Sequence, residues 1–120
     1  MKSILLIDDS MIQLRILQGL LQNKYETIMA TSGMEGLAIA KRELPDLILL
    51  DYDMPIMSGK ETFRQLQEQD ETKNIPVVFL TGVDGRKKVE EVLIHRPQGY
   101  LLKPVQQSRL LETVERVLAQ

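Results

Sequence analysis

The chain has 120 residues, of which 43% are hydrophobic and 27% charged, with a formal net charge of −2. This length suits one domain with one core, and the balanced charge argues against a dedicated nucleic-acid-binding protein. The lack of cysteine excludes disulfides and thiolate metal sites, and no apolar run reaches the roughly 18 residues that a membrane helix needs. We therefore expect residues 1–120 to form a single soluble, cytoplasmic domain.

Five short apolar runs predict five strands. They are Ile4–Ile7, Thr27–Ala30, Leu47–Leu50, Val77–Leu80 and Tyr100–Leu102. The first, third and fourth runs are apolar throughout rather than alternating, which is typical of strands covered on both faces in a parallel sheet.

Helical spacing of apolar residues appears after each run. The predicted helices are Ser10–Leu21, a helix capped by Ser32 that stops before Pro45, Ser58–Gln69, Asp84–His95 and Val105–Leu118. The fourth is rich in charge, and its only apolar anchors are Val89, Val92, Leu93 and Ile94. A strand followed by a helix, repeated five times, predicts an α/β fold with a parallel sheet and helices on both faces.

Polar residues follow four of the predicted strands. They are Asp8 and Asp9 after the first strand, Asp51 and Asp53 after the third, Thr81 after the fourth and Lys103 after the fifth. Ligands of open parallel sheets bind at the carboxyl ends of the strands, so we expect these side chains to share one crevice. Crowded carboxylates repel one another unless a cation binds, and oxygen ligands alone favour Mg²⁺ or a similar ion such as Mn²⁺.

These residue types also suit phosphoryl transfer. A carboxylate such as Asp51 can act as the nucleophile, while a metal ion, Lys103 and Thr81 each take one oxygen of the transferred group. Each residue has a simpler interpretation when taken alone. In these interpretations Asp9 or Ser10 would cap a helix, Thr81 would be a turn residue, and Lys103 would be a charge exposed to solvent. Their occurrence together at four strand ends favours the functional interpretation.

The chain resembles the receiver domains of two-component response regulators, of the chemotaxis-regulator type. The resemblance runs from Ile4 to about Leu118 and rests on Asp8-Asp9, Asp51-x-x-Met54-Pro55, Gly59, Thr81-Gly82 and Tyr100-x-x-Lys103-Pro104. It implies a flavodoxin-like three-layer sandwich whose five-stranded parallel sheet has the order 2-1-3-4-5, with five helices.

The resemblance also implies a role for each site residue. Asp51 is the phosphoacceptor, and Mg²⁺ is held by Asp8, Asp9, Asp51 and the backbone carbonyl of Asp53. Thr81 and Lys103 bind the phosphoryl group, Thr81 and Tyr100 form the switch, and the Lys103–Pro104 peptide bond is cis.

The partners implied by the resemblance are of two kinds. A sensor histidine kinase or a histidine phosphotransfer domain donates the phosphoryl group. The surface of the fourth helix, fifth strand and fifth helix then acts on a downstream target protein or a covalently linked output domain. No direct contact with nucleic acid or membrane is expected, and the domain is a monomer or a weak phosphorylation-dependent dimer. The domain is a signalling module, not a turnover enzyme, that assists its own phosphoryl transfer and autodephosphorylation.

Two other functions fit parts of the pattern. Asp51-Tyr52-Asp53 has the letters of an aspartate-nucleophile phosphatase of the haloacid dehalogenase type, but that class places its nucleophile after the first strand. A flavin-binding module shares the fold, but Asp8-Asp9 would repel a phosphate where such a module binds one. The only histidine, His95, lies at a predicted helix end, and we expect it to be exposed to solvent.

Overall fold

Five strands form one parallel sheet in the computed structural model, which describes residues 1–82, 90 and 92–120. The strands are β1 (Ser3–Ile7), β2 (Glu26–Ala30), β3 (Leu47–Asp51), β4 (Val77–Thr81) and β5 (Gly99–Leu102). They lie in the order β2-β1-β3-β4-β5, and every neighbouring pair is parallel. Each predicted strand lies within an observed one, and the flavodoxin-like order implied by the resemblance is confirmed.

Helices connect the strands. They are α1 (Met11–Leu21), α2 (Gly33–Glu43), α3 (Gly59–Glu68), α4, of which residues 90 and 92–94 are described, and α5 (Gln107–Leu118). Most of the fourth predicted helix, including Val89, lies outside the described residues. Among its other predicted anchors, Val92 is buried, but Leu93 and Ile94 are 49% and 76% exposed, so their assignment as anchors is wrong.

Serine residues cap the first three helices. The side-chain oxygens of Ser10, Ser32 and Ser58 accept hydrogen bonds from the backbone amides of Gln13, Glu35 and Glu61, respectively. Such a cap satisfies an amide that has no partner within the helix and stabilises it by about 1 kcal/mol. Since Ser10 directly follows Asp9, the cap also fixes where the chain turns after the acidic pair.

The sheet separates two apolar layers, which explains the continuously apolar strands. Alternate residues of β1, such as Leu5 and Leu6, point to opposite layers, and both are fully buried. One layer packs against α1 and α5, and the other against α2, α3 and the described part of α4. Of the helices in the described part of the chain, none has the length and apolar character needed to cross a membrane.

Gly59, the first residue of α3, packs directly against the end of β3. Its amide donates to the carbonyl oxygen of Tyr52 at 3.0 Å. A Cβ atom at this position would touch the carbonyl oxygen of Asp51 and lie 2.7 Å from the Cα atom of Tyr52. Because both neighbours are main chain, only a residue without a side chain lets α3 approach β3 this closely.

We expect Gly59→Ala to lower the free energy of unfolding by roughly 1–3 kcal/mol, because the backbone must move to relieve the overlap. Gly19→Ala is the matched control. An added Cβ at Gly19, within α1, meets nothing within 4 Å, and alanine there is expected to raise stability by about 0.5–1 kcal/mol. Urea unfolding of the two variants measures both values. Equal effects of the two substitutions would contradict the close packing at Gly59.

Candidate functional site

The carboxyl edge of the sheet brings three carboxylates together. Asp8 directly follows β1, and Asp51 is the last residue of β3, its neighbour in the sheet. Oxygen atoms of Asp8, Asp9 and Asp51 all lie within 4.8 Å of one another. Asp8 and Asp51 are buried, whereas Asp9 is exposed, so the cluster opens to solvent on one side. Such a set of oxygen atoms can hold a hard divalent cation such as Mg²⁺.

Lys103 bridges the two buried carboxylates. Its Nζ atom donates to Oδ2 of Asp8 at 3.1 Å and to Oδ1 of Asp51 at 3.0 Å. The Lys103 side chain is only 23% exposed, so these charge-assisted bonds form away from bulk water. The backbone of Lys103 is tied to β4, because its amide donates to the carbonyl oxygen of Thr81 at 2.8 Å. The Lys103–Pro104 peptide bond is cis, as the resemblance implied.

Burial and neighbouring charges perturb the pKa of the Asp51 carboxyl. Burial, followed by repulsion from Asp8, raises the pKa of Asp51 from 3.8 to about 6, although Lys103 and the amide of Asp53 oppose the change. Burial alone would lower the pKa of Lys103, but its bonds and charge attraction to Asp51 and Asp8 leave that pKa raised. Lys103 therefore carries its charge at neutral pH. Its single charge is shared between Asp8 and Asp51, so binding of a further cation beside these carboxylates is favourable.

Thr81 is fully buried at the end of β4. Its Oγ1 atom has no hydrogen-bond partner among residues 1–82, 90 and 92–120. A buried hydroxyl without a partner is costly in free energy, and such a group in a native structure calls for an explanation. An oxygen-rich group bound at the adjacent strand end would provide the missing acceptor.

The other predicted site residues lie nearby. Asp53 is exposed, and its amide donates to Oδ1 of Asp51 at 3.4 Å. The metal-binding role of its carbonyl remains a prediction. Tyr100 lies in β5, opposite Phe79 of β4 in the register, and is partly buried against the layer that contains α2 and α3. Its role as a switch also remains a prediction.

The structure adds a contact between two residues that the sequence did not assign to the site. His95 is partly buried rather than exposed, so that prediction is wrong, and its Nε2 atom lies 3.4 Å from the hydroxyl of Tyr52. Tyr52, which follows Asp51, is 4% exposed. Forty-three residues separate the two rings in the chain, and no local sequence signal could have predicted their contact.

Three kinds of similarity accompany this geometry. The family model described as "Response regulator receiver domain" matches residues 4–115. The polar-differentiation response regulator DivK of Brucella anthropi is 31% identical over 118 residues, which cover 98% of this chain and 96% of DivK. The chemotaxis response regulator CheY4 of Vibrio cholerae is 33% identical, with a TM-score of 0.88 and 98% of each chain covered.

A third relative contains a metal ion. The receiver domain of the sensor histidine kinase PA1611 from Pseudomonas aeruginosa PAO1 has a TM-score of 0.91 and 23% identity, covering 99% of this chain and 98% of its own. Its structure has a magnesium ion coordinated in the active site cleft. At this identity the likeness to the present chain concerns the fold.

The raised pKa of Asp51 predicts an unusual dependence of stability on pH. The folded protein holds this proton more tightly than the unfolded chain, so the carboxyl contributes stability that is lost as pH rises from about 4 to 6. Without divalent cations, we expect Asp51→Asn to raise the free energy of unfolding at pH 7.5, by on the order of 3 kcal/mol. The gain should shrink as the pH falls towards 4.

Urea unfolding in the presence of a chelator, at pH 7.5 and pH 4.5, measures this difference. Asp70→Asn is the control, because the Asp70 side chain is 92% exposed and its replacement should change stability little at either pH. A loss of stability in Asp51→Asn at pH 7.5 would contradict this prediction. It would show that attraction to Lys103 stabilises the ionised Asp51 carboxylate more than burial and repulsion from Asp8 destabilise it.

Proposed function

Because the chain belongs to the response regulator receiver family, we propose that it accepts a phosphoryl group from a phosphohistidine onto Asp51. One observation carries this proposal. The Lys103 ammonium joins the buried carboxylates of Asp8 and Asp51, and β4, which lies beside β3, ends at the buried Thr81 hydroxyl. A nucleophile, a fixed cation and a hydroxyl without a described partner thus occupy one edge of the sheet.

The metal site of this proposal consists of the carboxylates of Asp8, Asp9 and Asp51 and the backbone carbonyl of Asp53. Receiver domains bind Mg²⁺ at an acidic pocket, and the three carboxylates here lie close enough to share one ion. Bound Mg²⁺, or Mn²⁺, supplies neutralising charge for a carboxylate that must approach an anionic phosphoryl group. The exposed side of the cluster, at Asp9, is the route by which the ion enters.

Three side chains divide the work of transfer. A carboxylate oxygen of Asp51 forms the new P–O bond while the P–N bond of the donor imidazole breaks. Lys103 moves its hydrogen bond from the free carboxylate to a phosphoryl oxygen, which keeps its charge paired. The Thr81 hydroxyl donates to another phosphoryl oxygen and so gains the acceptor that it lacks among the described residues.

The phosphorylated site acts on the surface formed by α4, β5 and α5. The inward movement of Thr81 makes room for the partly buried Tyr100, so that a charge added at Asp51 biases a two-state surface. Large apolar side chains are exposed there, among them Leu93, Ile94 and Leu102, as suits a protein-binding surface. The partners are a sensor histidine kinase or phosphotransfer domain upstream and a target protein or linked output domain downstream.

The remaining features of the proposal follow from this role. Residues 1–120 act as one receiver domain in the cytoplasm, as a monomer or a weak dimer that forms on phosphorylation. The domain is a signalling module rather than a turnover enzyme, although it assists its own phosphoryl transfer and autodephosphorylation. Direct binding to nucleic acid or membrane is not part of its function.

Phosphorylation of Asp51 can be tested directly. Acetyl phosphate with Mg²⁺ is expected to add one phosphoryl group per chain, detected by mass spectrometry of the intact protein, and Asp51→Asn should add none. Asp70→Asn, a matched removal of one exposed carboxylate, should be phosphorylated like the original protein. Addition of the group to Asp51→Asn, or to none of the three proteins, would refute the assignment. Steady release of phosphate without accumulation would favour a phosphatase.

Thr81→Val separates stability from function. Valine has a similar shape but no hydroxyl, so the substitution removes the unpartnered polar atom, and the free energy of unfolding should stay unchanged or rise by about 1 kcal/mol. Phosphorylation by acetyl phosphate should nevertheless slow by roughly 10-fold, since one donor to the phosphoryl group is lost. Thr81→Ser retains the hydroxyl and should stay within about threefold of the original rate. A normal rate in Thr81→Val would exclude a phosphoryl contact.

A further inference from the structure

The ring of Tyr52 connects the acceptor residue to the far side of one apolar layer. Tyr52 follows Asp51, and its ring meets Phe79 edge-on, with centroids 5.2 Å apart and an interplanar angle of 86°. The hydroxyl at the other end of the ring lies 3.4 Å from Nε2 of His95. When the imidazole carries its proton on Nδ1, the hydroxyl donates to Nε2. The hydroxyl of the buried Tyr52 ring therefore has a hydrogen-bond partner in the imidazole of His95.

His95 belongs to the end of α4 and not to the acceptor region of the chain. Its amide donates to the carbonyl oxygen of Val92 at 3.2 Å, which ties the residue to the last turn of the helix. Its ring centroid lies 6.1 Å from that of Tyr52 and 6.4 Å from those of Phe63 and Phe79. These four rings come from β4, α3, the end of α4 and the residue after β3. A displacement of the end of α4 would therefore move the His95 ring against all three neighbours, and among them Tyr52 also has its hydroxyl 3.4 Å from the imidazole.

The backbone of Tyr52 is held on both sides. Its amide donates to the carbonyl oxygen of Leu80 at 2.8 Å, and its own carbonyl oxygen accepts from Gly59 at 3.0 Å. A force on the Tyr52 ring acts through this backbone, so it can produce small changes at Asp51 and Asp53 on either side. Active-site geometry is sensitive to such changes, because misplacement by about 1 Å can lower a rate by a factor of about 100.

We propose that His95 is a positioning residue that acts through the Tyr52 ring, so that the end of α4 and the acceptor segment 51–53 influence each other. The inference rests on the proposed function, since it concerns regulation of the same acceptor. It assigns a second connection between the site and α4, separate from Thr81 and Tyr100. Coupling of this kind is reciprocal. Phosphorylation of Asp51 changes the surroundings of His95, and contacts made at α4 change the reactivity of Asp51.

The single histidine makes the first test direct. His95 gives the only imidazole signal of the protein in an NMR spectrum, which can be followed at constant pH 7.5 in Mg²⁺ before and after addition of acetyl phosphate. We expect this signal to move on phosphorylation. In Tyr52→Phe the ring remains but the hydroxyl is gone, so at least half of that movement should be lost. The direct effect of the added charge is the same in both proteins and does not account for the difference.

Rates of phosphorylation provide the second test. Loss of the hydrogen bond between the two side chains should slow phosphorylation by acetyl phosphate about 3- to 10-fold in Tyr52→Phe and in His95→Leu. If His95 acts through Tyr52, the double variant is no slower than the slower single variant, whereas independent effects would multiply. Tyr25→Phe is the matched control. Tyr25 is partly buried in the other apolar layer, and its replacement should leave the rate unchanged.

If Tyr52→Phe does not fold, the rate of phosphorylation of His95→Phe tests the proposal instead. This variant preserves an aromatic ring without a hydrogen-bonding nitrogen, so it should be slowed as much as His95→Leu. An imidazole signal that does not move, an equal movement in Tyr52→Phe, or multiplying rate effects would each overturn the proposal. Mass spectrometry separates these outcomes from failure of the proposed function, in which no phosphoryl group appears on Asp51 in the original protein.

Discussion

The buried carboxylate of Asp51 is the constraint on which the rest of the site depends. A charge that is 3% exposed at the end of a fully apolar strand is unfavourable unless cations compensate it. Lys103 supplies part of the compensation, but it is shared with Asp8, and the pKa of Asp51 remains raised. The negative charge of the site is therefore incompletely compensated, which favours the binding of a further cation.

The parallel sheet makes this arrangement possible. Five strands that run in one direction place their last residues at one edge, and both faces of the sheet are sealed by helices. Polar groups at that edge lie between the apolar layers and bulk water. Their charges are partly desolvated there, but ions and other solutes can still reach them. Gly59 also packs closely against this edge, because the start of α3 contacts the main chain of Asp51 and Tyr52.

The fold was predictable because its signals are local. Apolar runs such as Leu47–Leu50, and caps such as Ser32, lie within a few residues of the structure that they specify. Convergence at the site was predictable for a topological reason, since strand ends of a parallel sheet must meet. The fourth helix was less predictable, because Leu93 and Ile94 follow an apolar pattern but face solvent. The contact of His95 with Tyr52 depends on packing between distant segments, so periodicity and motifs carry no information about it.

The phenyl ring of Phe79 lies among several other rings on one face of the sheet. Phe79 pairs with Tyr100 in the register of β4 and β5, and its ring meets that of Tyr52 edge-on, with the centroids 5.2 Å apart. The rings of Phe63 and His95 also lie near this phenyl ring, with centroids 5.3 Å and 6.4 Å away. A change in the size of this ring would alter several neighbouring rings at once, so we expect these ring-bearing positions to change together among descendants of this sequence rather than one by one.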